Sequence, residues 1–231
     1  MQNIEDRIWD ISCTKDIFDT LKRDERFLNL LTLARFFNAL RFCQQPITDV
    51  RNSDNPSASR QRFNSFLFAS SVLYEGFLLV EKLGQYFRDF DSFKNGFAVL
   101  LRDRKIRTLR ETALKRMRNK FVFHFDVNVA LEALEDFELQ NYRFATGFGN
   151  ASGEVYYRLA DEAVMNYLLQ HQPKDTDGEL NKRFRLMMKE VTELMEQFTE
   201  AAERLIAEVL VDMGWTAEIR EKIDVINNRF H

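Results

Sequence analysis

Apolar residues recur along most of this chain with the spacing of helices rather than of strands. They return every three or four positions, so each segment has one apolar face that another element has to cover. The predicted helices cover about residues 16–43, 60–87, 92–101, 104–125, 126–134, 160–170, 179 to beyond 205, and 217–228.

Two stretches interrupt the helical pattern. Residues 46–58 hold two of the three prolines together with Asn, Asp and Ser, and this composition predicts a loop. Further along, aromatic and β-branched residues flank a turn at Gly149–Gly153, and this pattern predicts a β-hairpin over about residues 142–159.

The helix that begins near Glu179 has the most regular pattern. Its apolar residues are alternately four and three positions apart, which is the heptad repeat of a helix packed along its length. At 1.5 Å per residue, such a helix is about 50 Å long. We expect its apolar face to lie in the core rather than at a partner-binding surface. The members of this face are Leu180, Phe184, Met187, Val191, Leu194, Phe198, Ala201 and Leu205.

Composition supports a mostly helical protein. The 231 residues include 22 Phe but only 8 Gly and 3 Pro, so few residues break helices. No internal repeat or low-complexity tract divides the chain. The sequence therefore predicts one all-α domain over residues 1–231 with a small β-hairpin insertion.

Charge and cysteine content limit the classes of function. The net charge is −3, so any contact with a polyanion has to come from a local patch. Cys13 and Cys43 lack the spacing of a zinc site or a disulfide framework, and no glycine-rich phosphate loop is present. We therefore expect no cofactor and no metal. The lack of a signal peptide and of a long apolar run predicts a cytoplasmic protein that binds no membrane.

Basic residues are concentrated in one segment. Nine of them lie between Arg102 and Lys120, and only Asp103 and Glu111 oppose them. Two interpretations remain open: a solvated helix face paired with acidic neighbours, or a surface that follows the phosphates of RNA. The second interpretation assigns RNA binding to Arg107, Arg110, Lys115, Arg116 and Lys120.

The basic segment leads into a compact set of groups suited to a phosphodiester. Arg118 and Asn119 are followed, after four residues, by His124, the first of three histidines. Arginine presents a planar pair of donors to phosphate oxygens, and histidine takes and gives protons near neutral pH. A partly buried, structural His124 is the alternative. Glu75, a carboxylate on an apolar helix, is a candidate ion-pair partner for Arg118 or for another cation.

The spacing of the motif also bears on the oligomeric state. On one continuous α-helix, residues six positions apart differ by about 120° in direction and about 9 Å in height. One chain therefore does not focus Arg118 and His124 on one atom, whereas two chains facing each other across a two-fold axis do. If the motif is catalytic, we expect a homodimer.

The motif resembles the signature of the HEPN superfamily, the higher eukaryotes and prokaryotes nucleotide-binding domains. That signature is an arginine and, four to six residues later, a histidine, often with a polar residue directly after the arginine. Here it reads Arg118-Asn119-x4-His124. The resemblance implies a HEPN-like up-and-down helical bundle with its core over about residues 60–215. The hairpin is not part of the minimal HEPN bundle and suggests a larger subfamily of the abortive-infection type.

Many HEPN proteins are metal-independent ribonucleases of toxin–antitoxin, abortive-infection and CRISPR-linked defence systems. The resemblance implies a homodimeric endoribonuclease in which Arg118, Asn119 and His124 line a shared cleft. His124 would act as general acid or base, and Arg118 would stabilise charge on the phosphate. Asn119 would hold a phosphate oxygen or orient the histidine. The alternatives are a non-catalytic HEPN-like module that binds a nucleotide, RNA or an antitoxin protein, and a purely structural helical dimer.

Overall fold

The computed structural model describes residues 7–49, 56–122, 146–147, 156–157, 164–165, 167–169 and 177–221. Most of these residues are helical, which confirms the all-α class. The elements are β1 (Arg7–Ser12), α1 (Lys15–Leu21), α2 (Glu25–Asp49), α3 (Pro56–Phe87), α4 (Asp91–Asn95), α5 (Phe97–Arg102), α6 (Arg104–Leu109), a first π-helical turn (Arg110–Leu114), a second π-helical turn (Met117–Val122), β2 (Thr146–Gly147), β3 (Tyr156–Tyr157), α7 (Asp177–Asp212) and β4 (Thr216–Glu221).

The three longest helices, α2, α3 and α7, pack side by side. Arg26 at the start of α2 pairs with Asp212 at the end of α7, so these two helices run antiparallel. Tyr86 near the end of α3 donates a hydrogen bond to Glu25 at the start of α2, so α2 and α3 are antiparallel as well. It follows that α3 and α7 run in the same direction.

The core between these helices is rich in phenylalanine. Phe198 on α7 is fully buried, and its ring contacts those of Phe36, Phe77 and Phe97 at centroid distances of 5.5, 5.2 and 5.0 Å. Tilted and edge-to-face contacts of this kind add to the free energy gained by burying the rings. The apolar face predicted on α7 therefore lies in the core. Its fully buried part comprises Val191, Leu194, Phe198, Ala201 and Leu205.

The first predicted helix is in fact two helices. One helix was predicted over residues 16–43, but α1 ends at Leu21 and α2 begins at Glu25. The Asp24 carboxylate accepts the backbone N–H of Phe27 at 2.9 Å and so caps a new helix start. This break depends on a local capping contact. The apolar spacing does not change at the break, so the spacing alone did not predict it.

The loop predicted over residues 46–58 overlaps helices at both of its ends, and residues 50–55 lie outside the described residues. α2 continues through Pro46 to Asp49, and α3 begins at Pro56. A proline within a helix removes the hydrogen bond to the carbonyl four residues earlier, here that of Phe42. Pro46 lies three residues before the end of α2 at Asp49, so the helix loses this hydrogen bond only near its end.

The helix predicted over residues 92–101 is interrupted at Gly96, which separates α4 from α5. Gly96 passes close to α7. A Cβ atom at this position would lie 2.9 Å from the Cβ of Ala201 and 2.7 Å from the carbonyl oxygen of Ser92. Only glycine fits such an approach, and the chain bends there as a result.

A carboxylate on α7 holds the start of α4. Glu208 accepts the backbone N–H groups of Ser92 at 2.8 Å and of Asp91 at 3.3 Å. Burial works to raise the pKa of Glu208, but the hydrogen bonds from Ser92 and Asp91 outweigh it and keep that pKa below its ordinary value. The carboxylate is therefore ionised at neutral pH, as a helix N-terminus prefers.

The last described element is a strand and not a helix. A helix was predicted over residues 217–228, but β4 pairs antiparallel with β1, and residues 222–228 lie outside the described ranges. α7 ends because Gly214 adopts a φ of +86°, and the N–H of Trp215 bonds back to the carbonyl of Leu210 at 2.9 Å. This left-handed closure is a Schellman motif, and it ends the helical pattern ahead of β4.

The predicted β-hairpin is confirmed in its described residues. β2 and β3 are antiparallel, with Thr146 opposite Tyr157 and Gly147 opposite Tyr156. The described part of the helix predicted over residues 160–170 is also helical. The helix predicted over residues 126–134 lies outside the described residues.

Candidate functional site

The basic segment is not one uniform α-helix, although a single helix was predicted over residues 104–125. α6 begins with Asp103 as its N-cap, whose Oδ1 accepts the N–H groups of Lys105 at 2.7 Å and of Ile106 at 3.0 Å. Beyond α6, the chain widens into the two π-helical turns. Such turns are rare and occur often at functional sites.

Two ion pairs fix the segment against α3. Arg110 Nη1 lies 2.5 Å from Glu81 Oε1, and Arg118 Nε lies 2.7 Å from Glu75 Oε1. Residue numbers fall along α3 as they rise along the basic segment, so the two run antiparallel. The arginine of the motif is thereby placed beside the middle of α3.

The motif arginine is held by two neighbours. Besides its contact with Glu75, Arg118 donates from Nη1 to Asn119 Oδ1 at 2.9 Å. A guanidinium group only donates, so the amide oxygen of Asn119 faces it and the amide nitrogen points elsewhere. The side chains of Arg118 and Glu75 are 34% and 40% exposed, so this pair is partly open to solvent. The sequence left open whether Glu75 pairs with Arg118 or with another cation, and in the structure it pairs with Arg118.

Two of the predicted site residues fall beyond what the structure describes. They are His124 and the side chain of Lys120. The described motif consists of Arg118 and Asn119 on the second π-helical turn. The angle of about 120° between Arg118 and His124 assumed α-helical geometry, whereas hydrogen bonds in a π-helical turn join residues five positions apart. That assumption is therefore wrong over the described part of the motif.

Seven of the nine cations of the basic segment fall into two groups, while Arg116 is half-buried and the side chain of Lys120 lies outside the described residues. One group is ion-paired with carboxylates, and the other is exposed and, among the described residues, in no ion pair. The ion pairs are Arg110–Glu81 at 2.5 Å, Arg110–Glu111 at 3.3 Å, Lys115–Glu111 at 3.1 Å and Arg118–Glu75 at 2.7 Å. The exposed group is Arg102, Arg104, Lys105 and Arg107. The first interpretation, a helix face paired with acidic residues, therefore fits the ion-paired group, and the second stays open for the exposed group.

Ion pairing shifts the pKa values of Arg110, Lys115 and Glu111. Burial lowers the pKa of Arg110, but Glu81 and Glu111 outweigh it, so that the pKa is raised overall. The hydrogen bond from Lys115 lowers the pKa of Glu111, and Glu111 raises the pKa of Lys115. Arg110 is also only 16% exposed, and its guanidinium carbon lies 5.8 Å from the centre of the Phe77 ring. Arg110 therefore has a structural role between α3 and the basic segment.

The five residues assigned to RNA binding are thus in different surroundings. Arg107 is exposed, Arg116 is half-buried, and Arg110 and Lys115 are ion-paired, while the side chain of Lys120 is outside the described residues. The assignment omitted the cations at the start of the segment.

In the sequence, Asp103 counts only as one of the two carboxylates that oppose the nine cations. In the structure its carboxylate is turned to the backbone N–H groups of α6. Its position one residue before the helix start is a capping signal that could have shown this.

The described residues contain no group of three or more His, Cys, Asp or Glu side chains that could hold a metal ion. Cys13 and Cys43 are free and half-buried. Burial raises the pKa of the Cys43 thiol, so this residue is less reactive than an exposed cysteine.

One described segment, Arg60–Phe87, has the length and apolar composition needed to cross a membrane. Of the 18 consecutive residues in this segment that are most apolar, 61% are buried inside the molecule. A core helix meets the same requirement of length and composition, so the segment by itself is weak evidence for a membrane span.

Comparisons of the chain with protein-family models, with curated proteins and with solved structures found no match. The molecule itself defines an all-α protein in which an arginine–asparagine pair is held on a π-helical turn at the end of a basic segment. The resemblance to HEPN proteins therefore rests on the residues of the motif.

Proposed function

We propose that the protein is a HEPN-type, metal-independent endoribonuclease that acts as a homodimer in a cytoplasmic defence or toxin system. The observation that carries the proposal is the position of Arg118. Its guanidinium is fixed by Glu75 and Asn119 and is still partly exposed on the second π-helical turn. An arginine that is fixed before the substrate arrives stabilises developing phosphate charge without reorganising.

In the proposed reaction the nucleophile belongs to the RNA. His124 of one chain, acting as general base, takes the proton of a 2′-hydroxyl, and that oxygen attacks the adjacent phosphorus. The bond to the 5′-oxygen breaks, and this oxygen is protonated by a general acid, for which His124 of the other chain is available. Arg118 donates to the non-bridging oxygens as their charge increases. The products are one fragment with a 2′,3′-cyclic phosphate and one with a 5′-hydroxyl.

Asn119 has a specific place in this scheme. Its amide oxygen accepts the hydrogen bond from Arg118, and its amide nitrogen remains available as a donor to another group. That nitrogen serves either of the two roles expected for Asn119, which are to hold a phosphate oxygen or to orient His124. In both cases Asn119 also positions Arg118.

The homodimer supplies the second copy of the motif. Two chains related by a two-fold axis bring two Arg118 and two His124 side chains to one cleft. Arg107, Arg116 and Lys120 then contact the RNA backbone on either side of the cleft. Arg110 and Lys115 contribute only where a phosphate replaces their carboxylate partners.

A second candidate function is a non-catalytic HEPN-like module that binds a nucleotide, RNA or an antitoxin protein. The ion pair between Arg118 and Glu75 favours it, because the guanidinium is already neutralised in the free protein. In that case the wild-type protein binds its ligand but leaves RNA intact.

Cleavage of single-stranded RNA by the purified protein is expected to continue unchanged in excess EDTA. The reason is that the 2′-hydroxyl is the nucleophile, so no metal-bound water is needed. Gel electrophoresis measures the rate, and mass spectrometry identifies the cyclic phosphate ends. The same RNA with 2′-O-methyl groups is the control and should remain intact. Cleavage that stops on chelation and returns with magnesium contradicts the mechanism, and no cleavage of ordinary RNA favours the second function.

A further inference from the structure

The geometry points to a docking site for the sugar–phosphate backbone of single-stranded RNA at the junction of α5 and α6. This surface, here named the cationic corner, shares only Arg107 with the residues that the sequence assigned to RNA binding. The inference that the ligand of this surface is RNA rests on the proposed function. The cationic corner consists of Arg102, Arg104, Lys105 and Arg107.

The cationic corner carries charge that nothing in the described part of the molecule neutralises. All four side chains are exposed, and among the described residues none of them takes part in an ion pair. Further along the same segment, Arg110, Lys115 and Arg118 are each neutralised by a carboxylate. RNA can therefore bind the cations of the cationic corner without breaking an ion pair, whereas binding to Arg110, Lys115 or Arg118 requires an ion pair to break.

The one carboxylate inside the cationic corner is already occupied. Asp103 accepts two backbone N–H groups at the start of α6, at 2.7 and 3.0 Å. Four cations and one carboxylate leave a net charge of +3 at the corner. Because Asp103 covers the amides of the helix start, the anion has to be bound by side chains.

The spacing of these side chains suits a chain of phosphates. Arg104 and Arg107 are three positions apart on α6, so their Cβ atoms are neighbours about 5–6 Å apart on one face. Arg102 lies in the last turn of α5, on the other side of the bend at Asp103. Guanidinium groups hold phosphate oxygens with two parallel hydrogen bonds, so successive arginines can bind successive phosphates.

The surroundings of the corner favour RNA over a membrane or an acidic protein. Within α5 and α6, Val99 is the one large apolar side chain that is strongly exposed, at 55%. Amphipathic helices bind a bilayer surface through an apolar face in addition to their charge, and protein interfaces are built around a buried apolar centre. Contacts with a nucleic-acid backbone are electrostatic and need neither.

The test measures binding without cleavage. The probe is a fluorescent single-stranded RNA of mixed sequence with 2′-O-methyl groups, which lacks the nucleophile. The variant R104A/R107A is compared with K182A/R185A, which removes two exposed cations with the same spacing from α7. Loss of two contacts is expected to weaken binding about 10- to 30-fold at 0.1 M salt. It is also expected to lower the slope of log Kd against log salt by about 1.4.

The control variant should bind as the wild type does. Equal losses in both double variants, or no loss in either, would overturn the cationic corner, and so would binding to anionic vesicles but not to RNA. Different results would contradict the proposed RNA site at the cationic corner and the proposed function. Specific loss of binding in a protein that cuts no RNA supports the corner alone. Cleavage of ordinary RNA by the wild-type protein, with no specific loss of binding in R104A/R107A, supports RNA cleavage alone.

Discussion

Arg118→Ala and His124→Ala are each expected to lower the rate of RNA cleavage by a large factor without unfolding the protein. Loss of one charge-stabilising donor costs about 10²- to 10³-fold, and loss of the general acid or base about 10²- to 10⁴-fold. The ion pair of Arg118 with Glu75 is at least a third exposed, so its removal lowers the free energy of unfolding by at most about 1 kcal/mol. Initial cleavage rates and urea denaturation of the same samples check both statements.

Two further variants separate chemistry from ion pairing. Glu75→Gln removes the charge that holds Arg118 but leaves the arginine, so its cleavage rate is expected to fall by no more than about 10-fold. Arg41→Ala is the matched control, because Arg41 is an exposed arginine in an ion pair with Glu203 at 3.5 Å. It should cut RNA as fast as the wild type. If Glu75→Gln and Arg118→Ala lose activity equally, Arg118 acts only through its partner and the catalytic assignment is wrong.

Phe198→Ala is expected to lower the free energy of unfolding by about 3–5 kcal/mol. The ring is fully buried and contacts three other phenylalanine rings, from α2, α3 and α5. Its removal leaves a cavity between helices that cannot close without moving α7. Urea denaturation followed by circular dichroism measures the loss.

Phe42→Ala is the matched control for this substitution. The same side chain is truncated, but Phe42 is 77% exposed on α2, so its loss should change the free energy of unfolding by less than about 0.5 kcal/mol. Similar effects of the two substitutions would mean that the cluster around Phe198 does not form the core.

The parts of the fold that depend on local periodicity could be predicted from the sequence. The heptad pattern of α7 predicted the face on which Phe198 and Leu205 are buried. The predicted end of α3 at Phe87 is confirmed, and so is the pairing of β2 with β3. In each case the signal and the structure involve residues that are close in sequence.

The parts of the fold that depend on contacts between residues distant in sequence, or on helix capping, could not be predicted from the sequence. β1 pairs with β4, and Arg7 lies opposite Glu221 from the other end of the described chain. No local pattern specifies such a partner. The break before α2 likewise depends on one hydrogen bond from Phe27 to Asp24, and the apolar spacing does not show that α2 continues through Pro46.

The candidate site shows the same division. Residue types alone indicated the motif and a role for Glu75 as ion-pair partner of Arg118 or of another cation, and the structure shows the pair with Arg118. The separation of paired from unpaired cations could not, since it depends on which carboxylates of α3 lie beside the basic segment, such as Glu81 beside Arg110. Only the packing of the two elements decides that.

Subunit mixing tests most directly the claim that two chains form one RNA-cleaving cleft from Arg118 and His124. Wild-type protein is unfolded and refolded with an equal amount of the His124→Ala variant, and the cleavage rate per wild-type chain is compared with that of wild type alone. If each active cleft needs His124 from both chains, only about one quarter of the dimers are active, so the rate per wild-type chain falls by about half. An unchanged rate per wild-type chain, with a monomer in sedimentation, would contradict the claim.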